Sequence, residues 1–332
     1  MSGGRATGGR AVAFFDNGIG DHVLTLPALR ALCACFPGEL ELLCNERFAE
    51  TFFGGLPVRA LHPLRFGAAG DRLGFDAEAA AAKVAPAEVF ISLNPWHSAA
   101  VDELLELLKP RRSIGFFAAF GEELPRDFTM HTADLAFTAP RALDPGLRFE
   151  EFAAPPELTA ASRRAARAIL DEIPSDRRVL IVHADTKPEK TWPAERFIAA
   201  LDAFLERRPD FVALVLGRAR LALDSGRRGE AVVACEGLPL GVSLALAAEA
   251  DLFFGVDSCV LHAADFCRIP CVAVFGPTEP HEFGCRLAPA HHLTGERGMT
   301  QSISVADAVT ALEAIASAWC RGAPRRLDGA ML

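Results

Sequence analysis

Four short segments place polar residues directly after apolar runs that are typical of β-strands. The first is 17–21, which follows the apolar run 12–15 and contains Gly18, Gly20 and Asp21. Two glycines between a strand and a helix permit a tight turn with backbone amides exposed at a positive helix end. The segment lacks the third glycine of a dinucleotide fingerprint and the Lys-Ser/Thr pair of a P-loop. Asp21 has two interpretations: a helix cap, which spacing alone favours, or a base that takes a proton from a hydroxyl nucleophile.

The second segment, 187–193, leaves a predicted buried strand and enters a helix whose first position is Pro193. Lys187, Lys190 and Thr191 supply ammonium and hydroxyl groups suited to a diphosphate beside a helix start. The alternative is a solvated lysine loop, which is the usual explanation of an isolated lysine pair.

The third segment, 254–262, ends a strand and opens a helix with small polar residues. Asp257 and Ser258 stand at this second helix start suited to an anion, and an N-cap is the alternative explanation of Asp257. His262 lies one helical turn beyond Ser258, so the two side chains are expected on one face. A lone histidine there would more often be a satisfied core residue.

The fourth segment, 276–280, follows the apolar run 271–275. It begins with Gly276 and contains Thr278 between two prolines. As a turn it is ordinary, with exposed amides and one added hydroxyl. Its position directly after a strand indicates a candidate ligand-binding loop, because ligands of α/β sheets bind at the carboxyl ends of strands. The four segments together place an acid in the first half of the chain and phosphate-suited loops in the second.

The four segments lie between predicted strands and helices, which alternate along the chain. Strands are predicted at 12–15, 40–44, 89–93, 114–116, 179–183, 211–216, 231–235, 252–255 and 271–275. Helices are predicted at 21–36, 46–53, 76–84, 98–108, 159–172, 193–207, 242–250, 258–267 and 305–319. Repeated βα units with fully apolar strands indicate an α/β fold with parallel sheets covered by helices.

Chain length and charge narrow the class of protein. The 332 residues suit two domains, predicted at 11–150 and 151–320, with a disordered tail at 1–10 and a second tail at 321–332. The net charge of −9 argues against a bulk nucleic-acid binder, which needs a cationic face. No apolar stretch long enough to cross a bilayer and no signal segment occur, so we expect a cytoplasmic protein with at most peripheral membrane contact.

Nine cysteines occur without a single CxxC pair. This spacing argues against a zinc ribbon or a redox motif. We therefore expect reduced thiols packed as small hydrophobic residues, and no metal site.

The four segments in this order resemble glycosyltransferase family 9, which includes the ADP-heptose:lipopolysaccharide heptosyltransferases. The resemblance covers nearly the whole chain and rests on four motifs: Gly20-Asp21-His22-Val23-Leu24-Thr25-Leu26-Pro27-Ala28-Leu29-Arg30, Lys190-Thr191-Trp192-Pro193, Val256-Asp257-Ser258 with His262-Ala263-Ala264, and Phe275-Gly276-Pro277-Thr278-Glu279-Pro280. It implies a GT-B architecture, in which two Rossmann-like domains face each other across a cleft. It also implies an inverting transfer that needs neither a metal nor another cofactor.

The resemblance also implies roles for individual residues. Asp21 matches the family's general base, and Lys190 matches the lysine that neutralises the donor diphosphate. The predicted diphosphate-binding residues are Lys187, Lys190, Thr191, Ser258 and Thr278, the predicted donor-sugar residues are Asp257 and His262, and the loop glycines are Gly18, Gly20 and Gly276. The implied partners are a nucleotide-diphosphate sugar, with ADP-heptose favoured, and a glycan or small-molecule acceptor.

Two departures from the family bear on the nucleoside and the sugar rather than on the reaction class. The stretch 217–221 lacks the acid that often follows the glycine, the nearest being Asp224, and the stretch 182–186 lacks a glycine. One alternative is a nucleotide-sugar epimerase, which can share the two-Rossmann build. The other is a non-catalytic nucleotide-sugar-binding protein, which the two departures suggest. NAD-dependent redox chemistry ranks last, because the dinucleotide fingerprint is incomplete.

Overall fold

A computed structural model describes residues 9–67, 74–217, 231–320 and 324. The chain forms two compact units, Met1–Glu157 and Leu158–Leu332. Each unit is built on one six-stranded parallel sheet with flanking helices, as the α/β pattern predicts.

The sheet of the first unit has the order β3-β2-β1-β4-β5-β6. Its strands are β1 (Ala11–Phe15), β2 (Leu40–Asn45), β3 (Ala60–Leu64), β4 (Val89–Ser92), β5 (Arg112–Gly115) and β6 (Glu122–Glu123). All adjacent strands are parallel. The chain reverses its direction of progress across the sheet between β1 and β4, so a ligand crevice is expected at the carboxyl ends of these two strands.

The helices of the first unit are α1 (Ile19–Leu24), α2 (Leu26–Cys35), α3 (Ala77–Ala81), α4 (Ala99–Leu108) and α5 (Thr132–Leu143), with shorter turns at Ala49–Phe53 and Phe149–Glu151. The prediction of one continuous helix over 21–36 is wrong, because the helix breaks at Thr25. The cause is Pro27, which has no N–H to donate to the carbonyl of Val23 and whose ring crowds that carbonyl.

Three elements of the first unit were not predicted from the sequence. Strand β3 lies at the edge of the sheet and contains Pro63, which weakens a strand pattern but is tolerated at an edge. Strand β6 has only two residues. Helix α5 carries Pro140 near its end and begins after His131, whose Nδ1 accepts a hydrogen bond from the amide of Ala133 at 3.2 Å.

The sheet of the second unit has the order β12-β11-β10-β7-β8-β9, again with all adjacent strands parallel. Its strands are β7 (Arg178–His183), β8 (Phe211–Gly217), β9 (Val232–Glu236), β10 (Leu252–Val256), β11 (Cys271–Phe275) and β12 (Ala290–Thr294), of which β12 was not predicted. The reversal point lies between β7 and β10. The helices are α6 (Ala160–Asp171), α7 (Ala194–Arg207), α8 (Leu240–Ala248), α9 (Cys259–Phe266), α10 (Pro280–Phe283) and α11 (Val305–Trp319), with single turns at Pro188–Lys190, Glu296–Gly298 and Thr300–Ser302.

Trp192 anchors the loop after β7 in the core of the second unit. Its side chain is fully buried against Phe197 and Phe254, with ring centroids 4.9 and 6.1 Å away. The indole N–H donates to the carbonyl of Ile303 at 3.3 Å, which satisfies the one polar atom of the ring. The segment that contains Lys190 is therefore fixed at its C-terminal end.

All nine cysteines are free thiols, and eight of them are buried. Burial raises the pKa of Cys33 and of Cys44 to about 12, so both stay protonated at neutral pH. No described helix has the length and apolarity needed to cross a membrane. The predicted tail residues 1–8, 321–323 and 325–332 and the departures at 218–221 and Asp224 lie outside the described residues.

Candidate active site

Asp21 lies in the first turn of α1, directly beyond the carboxyl end of β1. Gly18 is the N-cap, so the interpretation of Asp21 as the cap is wrong: it is the third residue of the helix, after Gly20. A methyl group added at Gly18 would lie 2.9 Å from Oδ2 of Asp21. The glycine therefore allows the carboxylate to fold back over the start of the helix, where the helix dipole favours a negative charge.

His22 supports this turn from inside the unit, a role that the sequence analysis missed. Its side chain is fully buried among the rings of Phe15, Phe48 and Phe53, at centroid distances of 5.1, 4.8 and 5.5 Å. Burial lowers the pKa of His22 to about 4, although its hydrogen bond to the backbone of Gly18 acts in the opposite direction. The ring is therefore neutral at pH 7, and Nδ1 donates to the Gly18 carbonyl at 3.0 Å. The sequence feature that could have indicated this role is the position of His22, a polar residue at the start of an otherwise apolar helical run.

A chain of amide and carboxylate groups ties together the three loops around Asp21. The amide of Asp16 donates to Oδ1 of Asn94 at 3.0 Å, and Asn45 donates through Nδ2 to Oδ1 of Asp16 at 2.9 Å. These residues end or follow β1, β4 and β2, the central strands of the sheet. The Nδ2 atom of Asn94 is buried and has no partner among the described residues. The reversal point of the first sheet is thus a fixed polar corner with one unused donor.

Asp257 is the centre of a cluster at the reversal point of the second sheet. It follows β10 and is only 3% exposed. Its Oδ2 accepts from Nζ of Lys190 at 2.6 Å and from the hydroxyl of Thr278 at 2.8 Å. Its own carbonyl accepts from the hydroxyl of Thr186 at 3.2 Å. The loops after β7, β10 and β11, which carry three of the four motifs, therefore converge on one carboxylate.

His262 and Phe283 complete the surroundings of this ion pair. Nε2 of His262 lies 3.5 Å from Oδ1 of Asp257, and His262 is almost completely buried. The ring centroid of Phe283 lies 5.5 Å from Nζ of Lys190, within the range of a cation–π contact. An ammonium has three N–H donors, so Lys190 can hold Asp257 and still donate to a bound anion.

Ser258 begins helix α9 next to this cluster. Its Oγ accepts from the amide of Leu261 at 3.4 Å, so Ser258 is the N-cap and the N-cap interpretation of Asp257 is wrong. The same oxygen lies 3.1 Å from Nδ1 of His183, at the end of β7. Burial lowers the pKa of His183 to about 4, although the charge of Asp185 acts in the opposite direction. Sequence analysis treated His183 only as a departure from the family.

Lys187 and Thr191, two of the predicted diphosphate-binding residues, make hydrogen bonds outside the Asp257 cluster. The side chain of Lys187 is exposed, and its carbonyl accepts from the hydroxyl of Thr191 at 3.2 Å. The carbonyl of Thr191 accepts from the hydroxyl of Thr300 at 2.6 Å. A Cβ at Gly276 would lie 2.8 Å from Cγ2 of Thr300, so this glycine permits close packing at the edge of the cluster. Among the described residues, no three or more His, Cys, Asp and Glu side chains are grouped to hold a metal ion.

Because His22 and His183 are buried, we expect the free energy of unfolding to decrease in acid. His22 and His183 have an ordinary pKa of 6.5, which is lowered to about 4 in the folded chain. As the pH falls from 6.5 to 4 the unfolded chain takes up protons first, so the free energy of unfolding decreases. The expected loss is roughly 2 kcal/mol per histidine between pH 7 and pH 5.

Urea unfolding midpoints measured at pH 7 and pH 5 check this expectation. His22→Asn retains a donor for the Gly18 carbonyl but does not titrate, so this variant should lose less stability than the wild type over the same interval. An equal loss in both proteins would show that His22 does not carry the effect.

Each of the two parallel sheets has a polar cluster at its reversal point, which is where α/β folds of this class bind their ligands. The sequence profile described as glycosyltransferase family 9 (heptosyltransferase) matches residues 64–304. The chain belongs to this family, and it is a glycosyltransferase. A search of curated protein sequences found no match.

Solved structures similar to this chain include those of three glycosyltransferases. A glycosyl transferase family 9 protein from Veillonella parvula is 19% identical with a TM-score of 0.77, covering 95% of this chain and 99% of its own. ADP-heptose lipopolysaccharide heptosyltransferase II of E. coli is 14% identical with a TM-score of 0.69, covering 92% and 98%. E. coli heptosyltransferase WaaC with ADP is 17% identical with a TM-score of 0.65, covering 92% and 99%. These likenesses confirm the predicted α/β fold of the GT-B type.

Proposed function

We propose that this glycosyltransferase moves a heptose-type sugar from an ADP-linked donor to a hydroxyl of a glycan or small-molecule acceptor, with inversion and without a metal. The observation that carries the proposal is the cluster in which Lys190 and Thr278 both contact the buried carboxylate of Asp257. It gathers groups from three separate loops at the point where α/β sheets bind phosphates. Membership of the family favours transfer over the epimerase alternative.

The second unit is proposed to hold the donor diphosphate. Lys190 supplies the charge that stabilises the leaving phosphate, and the amides at the start of α9 beside Ser258 add donors for its oxygens. Asp257 fixes the ammonium and the Thr278 hydroxyl in place, and His262 packs against its other oxygen. Because Asp257 is almost fully buried, its proposed contribution to sugar binding operates through this arrangement.

The first unit is proposed to activate the acceptor. Asp21 takes the proton of the acceptor hydroxyl while that oxygen attacks the anomeric carbon from the face opposite the diphosphate. The new carbon–oxygen bond forms as the bond to the phosphate oxygen breaks, and the electron pair leaves with the diphosphate. A single base and a cationic cradle are sufficient for this displacement. We propose that the reaction takes place in the cytoplasm.

A thermal-shift panel of ADP, UDP, GDP and dTDP tests the donor. A nucleotide that binds only the folded protein raises its melting temperature, and at 100 times its dissociation constant the stabilisation is about 2.7 kcal/mol. We expect the largest rise with ADP, without added divalent metal and in the presence of a chelator. A larger rise with UDP, or a requirement for metal, would contradict the proposed donor and the metal-independent cradle.

A further inference from the structure

Two exposed aromatic side chains stack on each other at the carboxyl edge of the first sheet. Trp96 follows β4 and is 49% exposed, and Phe128 follows β6 and is 42% exposed. Their ring centroids are 5.3 Å apart and their planes differ by 18°, which is a stacked arrangement. Single exposed hydrophobic side chains are normal on a protein surface, whereas these two rings form one contiguous apolar patch that is half open to solvent.

The position of the pair is tied to the loop that carries Asp21. Trp96 lies two residues after Asn94, whose Oδ1 accepts from the amide of Asp16 at the end of β1. Two residues span at most about 7 Å, so the backbone of Trp96 lies near the reversal point of the sheet. Ile19, next to the loop glycines, is a third exposed large hydrophobic residue at this edge. The unused Nδ2 donor of Asn94 belongs to the same corner.

Residues next to both rings are held by local hydrogen bonds. The carboxylate of Asp127 accepts from the amide of Thr129 at 2.9 Å and from its hydroxyl at 2.6 Å, which closes a turn around Phe128. On the Trp96 side, Nε2 of His97 lies 2.8 Å from Oδ2 of Asp102 in α4. The stacked pair is therefore a built feature rather than two loose side chains.

Polar and charged residues are sequence neighbours of both members of the aromatic pair. The guanidinium of Arg126 lies 4.5 Å from the ring centroid of Phe117, and the ring of His97 packs on the same phenylalanine at 5.3 Å. With Asp102 and Asp127, these residues place donors and acceptors of both signs beside an apolar face. Such a surface suits a ring with one C–H face and hydroxyls around its edge. A lipid would need a continuous apolar surface and a nucleic acid a cationic one.

We propose that Trp96 and Phe128 form the acceptor platform of this enzyme, on which a pyranose ring of a glycan acceptor stacks. The C–H bonds on one face of a pyranose carry partial positive charge, which the negative face of the indole attracts. The edge hydroxyls bind Arg126, His97 and Asp127. This inference rests on the proposed function for its identification of the ligand as the acceptor, and it selects a glycan over a planar aromatic natural product.

Saturation-transfer NMR on the full chain tests the platform with four methyl α-glycosides as probes: those of glucose, galactose, mannose and L-glycero-D-manno-heptose. We expect at least one glycoside to receive saturation mainly on the protons of one ring face. Trp96→Ala should weaken its binding about tenfold or more, and Phe128→Ala should weaken it less. Trp319→Ala is the matched control, because Trp319 is 59% exposed and lies in the other unit.

The outcomes separate the platform from the proposed function. Binding of none of the four glycosides, equal binding by the wild type and Trp96→Ala, or Trp96-dependent binding of 4-methylumbelliferone alone would overturn the platform. ADP titrated into the same wild-type sample tests the donor site independently. Trp96-dependent glycoside binding without any ADP binding would leave the platform standing and overturn the proposed function.

Discussion

Replacing Asp21 by asparagine is expected to lower the rate of sugar transfer by about 10²- to 10⁴-fold while leaving the Michaelis constant for the donor nearly unchanged. Asparagine has the shape of the carboxylate but cannot accept a proton, and a general base contributes a factor of this size. The measurement is the release of ADP from ADP-heptose, with water as the acceptor where no other is supplied. A variant that releases ADP at the wild-type rate would remove Asp21 as the base.

Gly18→Ala offers a second way to disturb the same carboxylate without removing it. The added methyl would lie 2.9 Å from Oδ2 of Asp21 and must displace it. Misplacement of a catalytic group by about 1 Å costs up to about 100-fold in rate. Gly121→Ala is the matched control in the same unit, because its methyl would meet Oγ of Ser113 at an ordinary 3.4 Å. Equal activity of the two variants would argue that the position of the Asp21 carboxylate is unimportant.

Replacing Lys190 by methionine is expected to reduce both stability and donor affinity. The ammonium lies 2.6 Å from Oδ2 of Asp257, and the side chains of the two residues are 19% and 2% exposed. Removal of one partner leaves a buried, uncompensated carboxylate, which costs about 3 kcal/mol of unfolding free energy. It also leaves a negative charge beside the proposed diphosphate site. Urea unfolding measures the first effect.

The double variant Lys190→Met with Asp257→Asn separates the structural role of the ion pair from its binding role. With the carboxylate neutralised, the unfolding free energy should return to within about 1 kcal/mol of the wild type, because no unpaired charge remains buried. Asparagine also keeps an oxygen for the hydroxyl of Thr278. If the double variant is as unstable as Lys190→Met alone, the instability does not arise from the orphaned charge of Asp257.

Much of the fold followed from the sequence, because apolar strands buried on both faces alternate with amphipathic helices in a plain pattern. Strand β10 is an example, since every one of its residues is buried and its run is continuous. The elements that were missed depend on context. Strand β3 contains a proline that only an edge position tolerates, and the break at Thr25 depends on how much strain Pro27 imposes on the turn before it.

Less of the candidate site could be predicted from the sequence, because the spacing of motifs identifies loops but not which of their atoms are in contact. The four motifs lie in loops at the two reversal points, yet the contact between Thr278 and Asp257 joins residues 21 positions apart. The buried states of His22 and His183 depend on rings and strands far along the chain. The same holds for Trp96 and Phe128, whose stacking no local pattern encodes.

Calorimetric titration of ADP tests most directly the claim that donor binding belongs to the Asp257 cluster and chemistry to Asp21. Wild type and Asp21→Asn should bind ADP with equal affinity, and the Lys190→Met, Asp257→Asn double variant should bind about tenfold or more weakly, since a charged donor to phosphate is lost. Weakened ADP binding by Asp21→Asn, together with undiminished binding by the double variant, would contradict this division of roles.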